Sequence, residues 1–187
     1  MLYQTLVIIH LIGFALGLGS ATVSDYLLFK FLKDYKISSW EKNILEKVSL
    51  LVWIGLFIQI VSGIGFYSLN YEVLNHTVKF LVKVVAVGII TLNGILLHKF
   101  VMPRMMKLNF GDSKITFIER LSFASGAISV TSWWFATIMG ALRNDISFTF
   151  LQLLGIYLAL ILCAIISSQI LTYFISIGLF KSNKLKL

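Results

Sequence analysis

The stretch from Ile146 to Phe180 contains no charged residue at all. A soluble domain has no place for such a segment, because a lipid core is the only solvent that asks for an uninterrupted apolar helix of that length. Four more stretches are predominantly apolar, roughly residues 2–29, broken by His10 and Asp25, 48–71, 80–102, with Lys83 near its start, and 121–142. Each is near the roughly 20 apolar residues that one bilayer crossing needs. Together with 146–180 they predict an all-α, polytopic membrane protein: a single transmembrane domain (1–187) built as a five-helix bundle. The runs are too long and too evenly apolar for barrel strands, which alternate at every second residue. Composition agrees, with 58% hydrophobic residues, 13% charged and a mean hydropathy of +0.91. A chain of 187 residues cannot hide that much apolar surface in one core.

The connecting segments carry helix punctuation. Ser38-Ser39-Trp40-Glu41 and Thr116-Phe117-Ile118-Glu119 have the spacing of capping boxes. Asn144-Asp145 is placed to cap the fifth helix, and Pro103 to end the third. Residues 1–24 read as a retained span, since no Lys or Arg precedes the apolar run and no small-residue cleavage signal follows it.

The 16 Lys and Arg against 8 Asp and Glu give a net charge of +8. On a membrane protein this is a topology signal and not a nucleic-acid footprint. Thirteen of the basic residues fall in the first loop, the third loop and the tail; Lys79, Lys83 and Arg143 fall on the other side. The positive-inside rule then places the amino terminus outside and the carboxyl terminus in the cytoplasm. The sole cysteine, Cys163, has no partner for a disulfide or a zinc site.

Four helices carry small-residue faces of the kind that lets membrane helices approach closely. On the first the face reads His10, Gly13, Gly17, Ala21, Asp25; on the second Gly55, Gln59, Gly63. On the fourth it is Ser122, Ser125, Ser129, Ser132, Ala136, Gly140, and on the fifth Gln152, Gly155, Ala159, Cys163, Ser167. Such faces serve contacts within the chain, with a second copy, or with another membrane protein.

Ionisable groups inside a bilayer cost about 2.5 to 3.5 kcal/mol each on insertion scales and therefore call for an explanation. Three chemistries offer one. Haem b would need axial histidines; His10 is the intramembrane candidate, alone or with His76 if the outer loop folds inward. Copper would favour a soft His-Met set, and His98 with Met102, Met105 and Met106 follows helical spacing at the cytoplasmic edge. Proton movement would use a polar path through His10, Gln59, Asn93, Gln152, Asp25 and His98, with an Asp25–His98 pair as its inner gate. Asp25 alternatively pairs with a nearby lysine such as Lys30. No hydrolase triad, HExxH or phosphate-binding loop occurs, so the sequence leaves open whether the chain is an enzyme.

The run from His10 to Ser20, HLIGFALGLGS, resembles the first helix of CopD-like and related small bacterial integral membrane proteins, as do Ser132-Trp133-Trp134 and Gly140-Ala141-Leu142-Arg143. The resemblance implies an inner-membrane protein with copper handling or haem-linked redox, and only His10 carries over as a candidate ligand. The reading for function is cofactor binding by His10, with a proton-coupled transporter or channel, or a structural subunit of a membrane complex, as alternatives.

Overall fold

The computed structural model describes residues 1–31, 38–105, 117–142 and 147–176. It is helical throughout, with no strand among the described residues. Five long helices follow in order: α1 (Leu2–Phe31), α2 (Ser39–Asn75), α3 (Val78–Leu96), α4 (Phe117–Ala141) and α5 (Phe150–Ser176). Between α3 and α4 the chain runs on through a π-helical segment, Leu97–Val101, and a short turn, Met102–Met105.

Among the described residues four stretches are long and apolar enough to cross a membrane: Leu2–Leu28, Ser39–Asn75, Val78–Arg104 and Phe150–Phe174. Only 28% of the apolar window of the first, and 17% of each of the others, is buried inside the bundle. The remaining apolar surface faces outward, which suits a lipid surround and no aqueous one. The helix α4 is of spanning length but is enriched in hydroxyl side chains, so it stands apart from the other four in apolarity.

Local signals explain the helix ends. Ser38 caps α2 in a full capping box, with its Oγ accepting from Glu41 N–H and the Glu41 carboxylate accepting from Ser38 N–H at 2.8 Å. The α2 helix ends after a break at Asn70 (φ −142°, ψ 36°), and only His76 and Thr77 separate it from α3. Pro103 does not stop the third span cleanly. Proline lacks an N–H and clashes with the carbonyl four residues back. Here the preceding turn widens, and Met102 N–H bonds the Leu97 carbonyl, five residues earlier. Thr149 caps α5: Gln152 N–H reaches Thr149 Oγ1 at 3.3 Å and Thr149 N–H reaches Gln152 Oε1 at 3.0 Å. Thr116, Asn144 and Asp145 lie outside the described residues.

The helices pack as successive antiparallel neighbours, with α4 against α1, α3 and α5. The α1–α2 seam is the most extensive and the closest. A Cβ on Gly13 would lie 2.6 Å from Ile58 Cγ2, and one on Gly55 would collide with the backbone of α1 at Gly17. A Cβ on Gly17 would also enter the ring of Trp133 from α4. Gly17 is thus the point where three helices meet.

Two apolar clusters fill the interior. One joins Ala21, Leu56, Ile90 and Trp133, one residue from each of α1 to α4. The other joins Val82 and Ala86 of α3, Phe135 and Met139 of α4, and Leu153, Tyr157 and Ile161 of α5. The small-residue face of α4 turns inward as expected: Ser122, Ser125 and Ser132 are all buried. The corresponding face of α5 does not. Gly155, Ala159, Cys163 and Ser167 are exposed, and α5 instead buries Leu153, Tyr157, Ile161, Ser168 and Thr172. The reason is complementarity, because the groove lined by small residues of α4 and by Ala86 takes bulky side chains. Tyr157 fills it, stacking on Phe135 at 4.4 Å between ring centroids and donating its hydroxyl to Ser132 Oγ at 2.8 Å.

Gly17→Leu should therefore disrupt the bundle, because it overpacks a three-helix contact; overpacking of this kind costs roughly 1–3 kcal/mol or more. Gly19→Leu, at a position with nothing within 4 Å of a Cβ, should be close to neutral. Thermal loss of helicity and of monodispersity in detergent measures both, and equal behaviour of the two variants would contradict the packing described.

Candidate functional site

His10 sits on the inner face of α1, half-buried against α2. Its Nδ1 lies 2.7 Å from Ser62 Oγ. Ser62 has a single proton to give, and its Oγ lies within hydrogen-bond distance of the Ile58 carbonyl one turn back in its own helix. With that proton given to the Ile58 carbonyl, the hydroxyl can accept from His10 Nδ1–H, and in that tautomer the lone pair is on Nε2. The arrangement is of the kind that orients a metal-ligating histidine. Gln59 adds a second tie, donating from Nε2 to the backbone carbonyl of His10. Phe66 packs edge-on against the imidazole, with centroids 5.4 Å apart, and Lys83 of α3 lies within electrostatic range.

The structure thus brings His10 and Gln59 together and supplies Ser62, which the sequence did not single out. It does not bring His10 and His76 together. Ser62, the partner of His10, precedes His76 by fourteen residues, about 21 Å of helical rise. His76 is exposed at the carboxyl end of α2.

Among the described residues no group of three His, Cys, Asp or Glu is placed to hold a metal ion. Copper needs two or three protein donors to converge, and no such group of three includes His10 among the described residues. Haem carries four nitrogen ligands of its own, so a single imidazole with a free Nε2 is a sufficient attachment. The Gly13–Gly17 face is not available for a macrocycle, since Ile58, Gly55 and Trp133 already occupy it. The open glycine next to the His10 partner is Gly63, where a Cβ would meet nothing within 4 Å.

His98 and Met102 are four residues apart across the π segment, with His98 exposed and Met102 half-buried. Met106 lies outside the described residues. No hydrogen bond or ion pair joins His98 to Asp25. Equal depth along the bundle does not imply equal facing, and Asp25 points at α4, with Oδ1 3.3 Å from where a Cβ on Gly126 would be. Nor does Asp25 pair with Lys30; the one salt bridge among the described residues is Lys42–Glu46 at 3.8 Å. Oδ2 of Asp25 is buried without a hydrogen-bond partner. Gln152 is exposed and occupied in the α5 cap, so it belongs to no interior path.

Other polar groups are satisfied across helix seams. Asn93 of α3 and Ser125 of α4 bond reciprocally, Nδ2 to the Ser125 carbonyl at 2.8 Å and Ser125 Oγ to Oδ1 at 2.7 Å. Lys79, buried at 7% exposure, donates to the carbonyl of Leu142 just past the end of α4. A cation there complements the negative end of the helix dipole.

No protein-family model, curated protein or solved structure matches the chain.

The Asn93–Ser125 pair should behave as one unit. Asn93→Ala and Ser125→Ala together should cost less than the sum of the two singles, with a coupling of about 0.5–1.5 kcal/mol in a double-mutant cycle. Reversible unfolding in mixed micelles measures it, and strict additivity would show that the two side chains do not act together.

Proposed function

We propose that this chain is a five-span protein of a bacterial cytoplasmic membrane, amino terminus outside, that holds haem b through the Nε2 of His10 in a redox role. The observation that carries the reading is the 2.7 Å contact of His10 Nδ1 with Ser62 Oγ at an intramembrane position. With the Ser62 proton directed to the Ile58 carbonyl, Ser62 accepts from Nδ1–H and Nε2 is left as a lone-pair donor. Bound haem would supply one-electron chemistry. The residues of this chain do the rest: Ser62 orients the ring, Gln59 ties the backbone of His10 to α2, and Phe66 limits rotation of the imidazole.

The orientation rests on the thirteen basic residues that collect on one side against three on the other. Counting α4 as a span rests on the way its polar groups are met internally. Ser122 and Ser132 bond carbonyls one turn back at 2.8 and 2.6 Å, and Thr137 does so at 2.7 Å. A hydroxyl satisfied by its own helix costs little in lipid.

A second reading, assembly with another copy or another membrane protein, is favoured by the outward face of α5. Its Gly155 has nothing within 4 Å, and Ala159 and Cys163 continue the same exposed stripe. Faces of this kind promote close helix pairing.

The test is an absorption spectrum of the detergent-purified protein, oxidised and then dithionite-reduced, with iron and copper analysis on the same sample after expression with haem supplied. The expected result is a Soret band that shifts on reduction, is lost in His10→Ala, and survives in His76→Ala. Ser62→Ala should weaken haem retention by about 10- to 100-fold, the usual cost of removing a group that orients a ligating histidine. A colourless protein with bound copper, or a haem spectrum indifferent to His10→Ala, would overturn the proposal.

A further inference from the structure

Asp25 is the one acid within the five apolar stretches of the sequence, and the His10 reading does not use it. Its surroundings are specific. Above it on α1, one turn towards the amino end, is Ala21, which with Leu56, Ile90 and Trp133 forms an apolar layer contributed by four helices. Leu18, Val52, Trp53, Ile60 and Val87 thicken that layer. Below it, the end of α1 at Phe31 is six residues away, about 9 Å by helical rise. The amino end of α1 is about 35 Å away by the same measure. The carboxyl group therefore lies just beneath a sealed apolar layer, near one mouth of the bundle.

Two polar atoms in this region are buried and unpartnered: Oδ2 of Asp25 and Nε1 of Trp133, which is itself 97% buried at 3% exposure. Natural proteins pair nearly all such groups, so each orphan requires an explanation. Both side chains press on the α1–α4 seam. Trp133 covers Gly17 and Asp25 faces Gly126, whose missing side chain leaves room beside Oδ1. Residues at about the level of Asp25 or nearer the same mouth, and able to influence it, are Lys30 on α1, Glu46 and Lys47 on α2, His98 and Lys99 beyond α3, and Glu119 and Arg120 on α4. None of the cations among them forms an ion pair with Asp25.

We propose that Asp25 is a one-sided proton-exchange site: its carboxyl takes up and releases a proton through water entering along the α1–α4 seam from the mouth near Phe31, and the Ala21–Leu56–Ile90–Trp133 layer bars that proton from the other side. The ligand is a proton delivered by water. The orphan oxygen is where it binds, and Gly126 keeps the approach open. The site is independent of His10, which lies beyond the layer with its own partners.

Infrared spectroscopy of the full-length protein in nanodiscs tests this. The wild-type minus Asp25→Asn difference spectrum, recorded in steps from about pH 5 to about pH 10, should contain one protonated-carboxyl band that disappears as pH rises. That band should shift when water is replaced by D2O. Asparagine is close to isosteric, and unchanged monodispersity and helicity would show that the variant folds. Gly126→Ala, which places a methyl group 3.3 Å from Oδ1, should slow the exchange into D2O several-fold without removing the band. Sidedness is read in sealed vesicles of known orientation: a pH jump on the side of the Phe31 end should change the band at once, and a jump on the opposite side should change it only as slowly as protons leak across the lipid. A difference spectrum with no pH-dependent carboxyl band, a band that never exchanges, or an equally fast response to pH jumps from both sides would each overturn the proposal.

Discussion

Everything in this bundle depends on how closely α1 can approach its neighbours. In lipid there is no hydrophobic gain in hiding one apolar helix against another, since the solvent is as apolar as the side chains. What remains is dispersion, and dispersion falls away within an ångström of the optimal distance. Gly13, Gly17 and Gly55 set that distance by bringing backbone to backbone between α1 and α2. The same Gly17 then admits the Trp133 ring, so α4 docks on the pair only after its surface exists. The contacts of His10 with Ser62 and Gln59 follow from this approach: neither bond would span a seam held apart by even one methyl group.

Polar groups inside the bundle follow a second rule, that donors and acceptors are met without water, to which Asp25 Oδ2 and Trp133 Nε1 are the exceptions. Most are met locally, by hydroxyls bonding one turn back, which costs nothing in tertiary precision. A few are met across seams, and these specify which helix lies where. Asn93 with Ser125 fixes α3 on α4, Tyr157 with Ser132 fixes α5 on α4, and Lys79 with the Leu142 carbonyl fixes the far end of α4 on α3. The helix α4 carries one partner of each of these pairs. Its lower apolarity is then the cost of serving as the hub, because a helix with neighbours on three sides has less lipid to satisfy and more partners to recognise.

What was legible in the sequence divides along the same line. The helices, the Ser38–Glu41 box and the inner face of α1 are local or periodic, and the chain displays them as one-dimensional patterns. The Thr149–Gln152 cap was equally local, but the apolar run beginning at Ile146 drew the helix start too early and left Gln152 looking like an interior residue. The outward turn of α5 was not legible, because a stripe of small residues states what can pack closely and not which helix it meets. Tyr157 and Leu153 on the opposite face fit the groove of α4 better, and the larger burial won. The partners that define the site were the least visible. Ser62 looks like any hydroxyl in an apolar run until α1 is laid beside it. The Asp25–His98 pairing failed because depth was read from the chain while azimuth was not.

The apolar layer at Ala21, Leu56, Ile90 and Trp133 gives these separate features a common logic. Polar residues of a membrane bundle that form one continuous file invite water through the protein, and a leak of protons would follow. Here the file is cut. His10, Ser62 and Gln59 lie on the amino-terminal side of α1, and Asp25, Asn93 and Ser125 lie beyond the layer. A chain that needs a polar atom at each end of a crossing, and must not conduct between them, has few solutions open to it. Four side chains, one from each of four helices, form an apolar layer between the two groups of polar residues. Trp133 is the largest of them and leans on Gly17, so a movement that loosened the layer would first have to part α1 from α4, the seam on which Asp25 also lies.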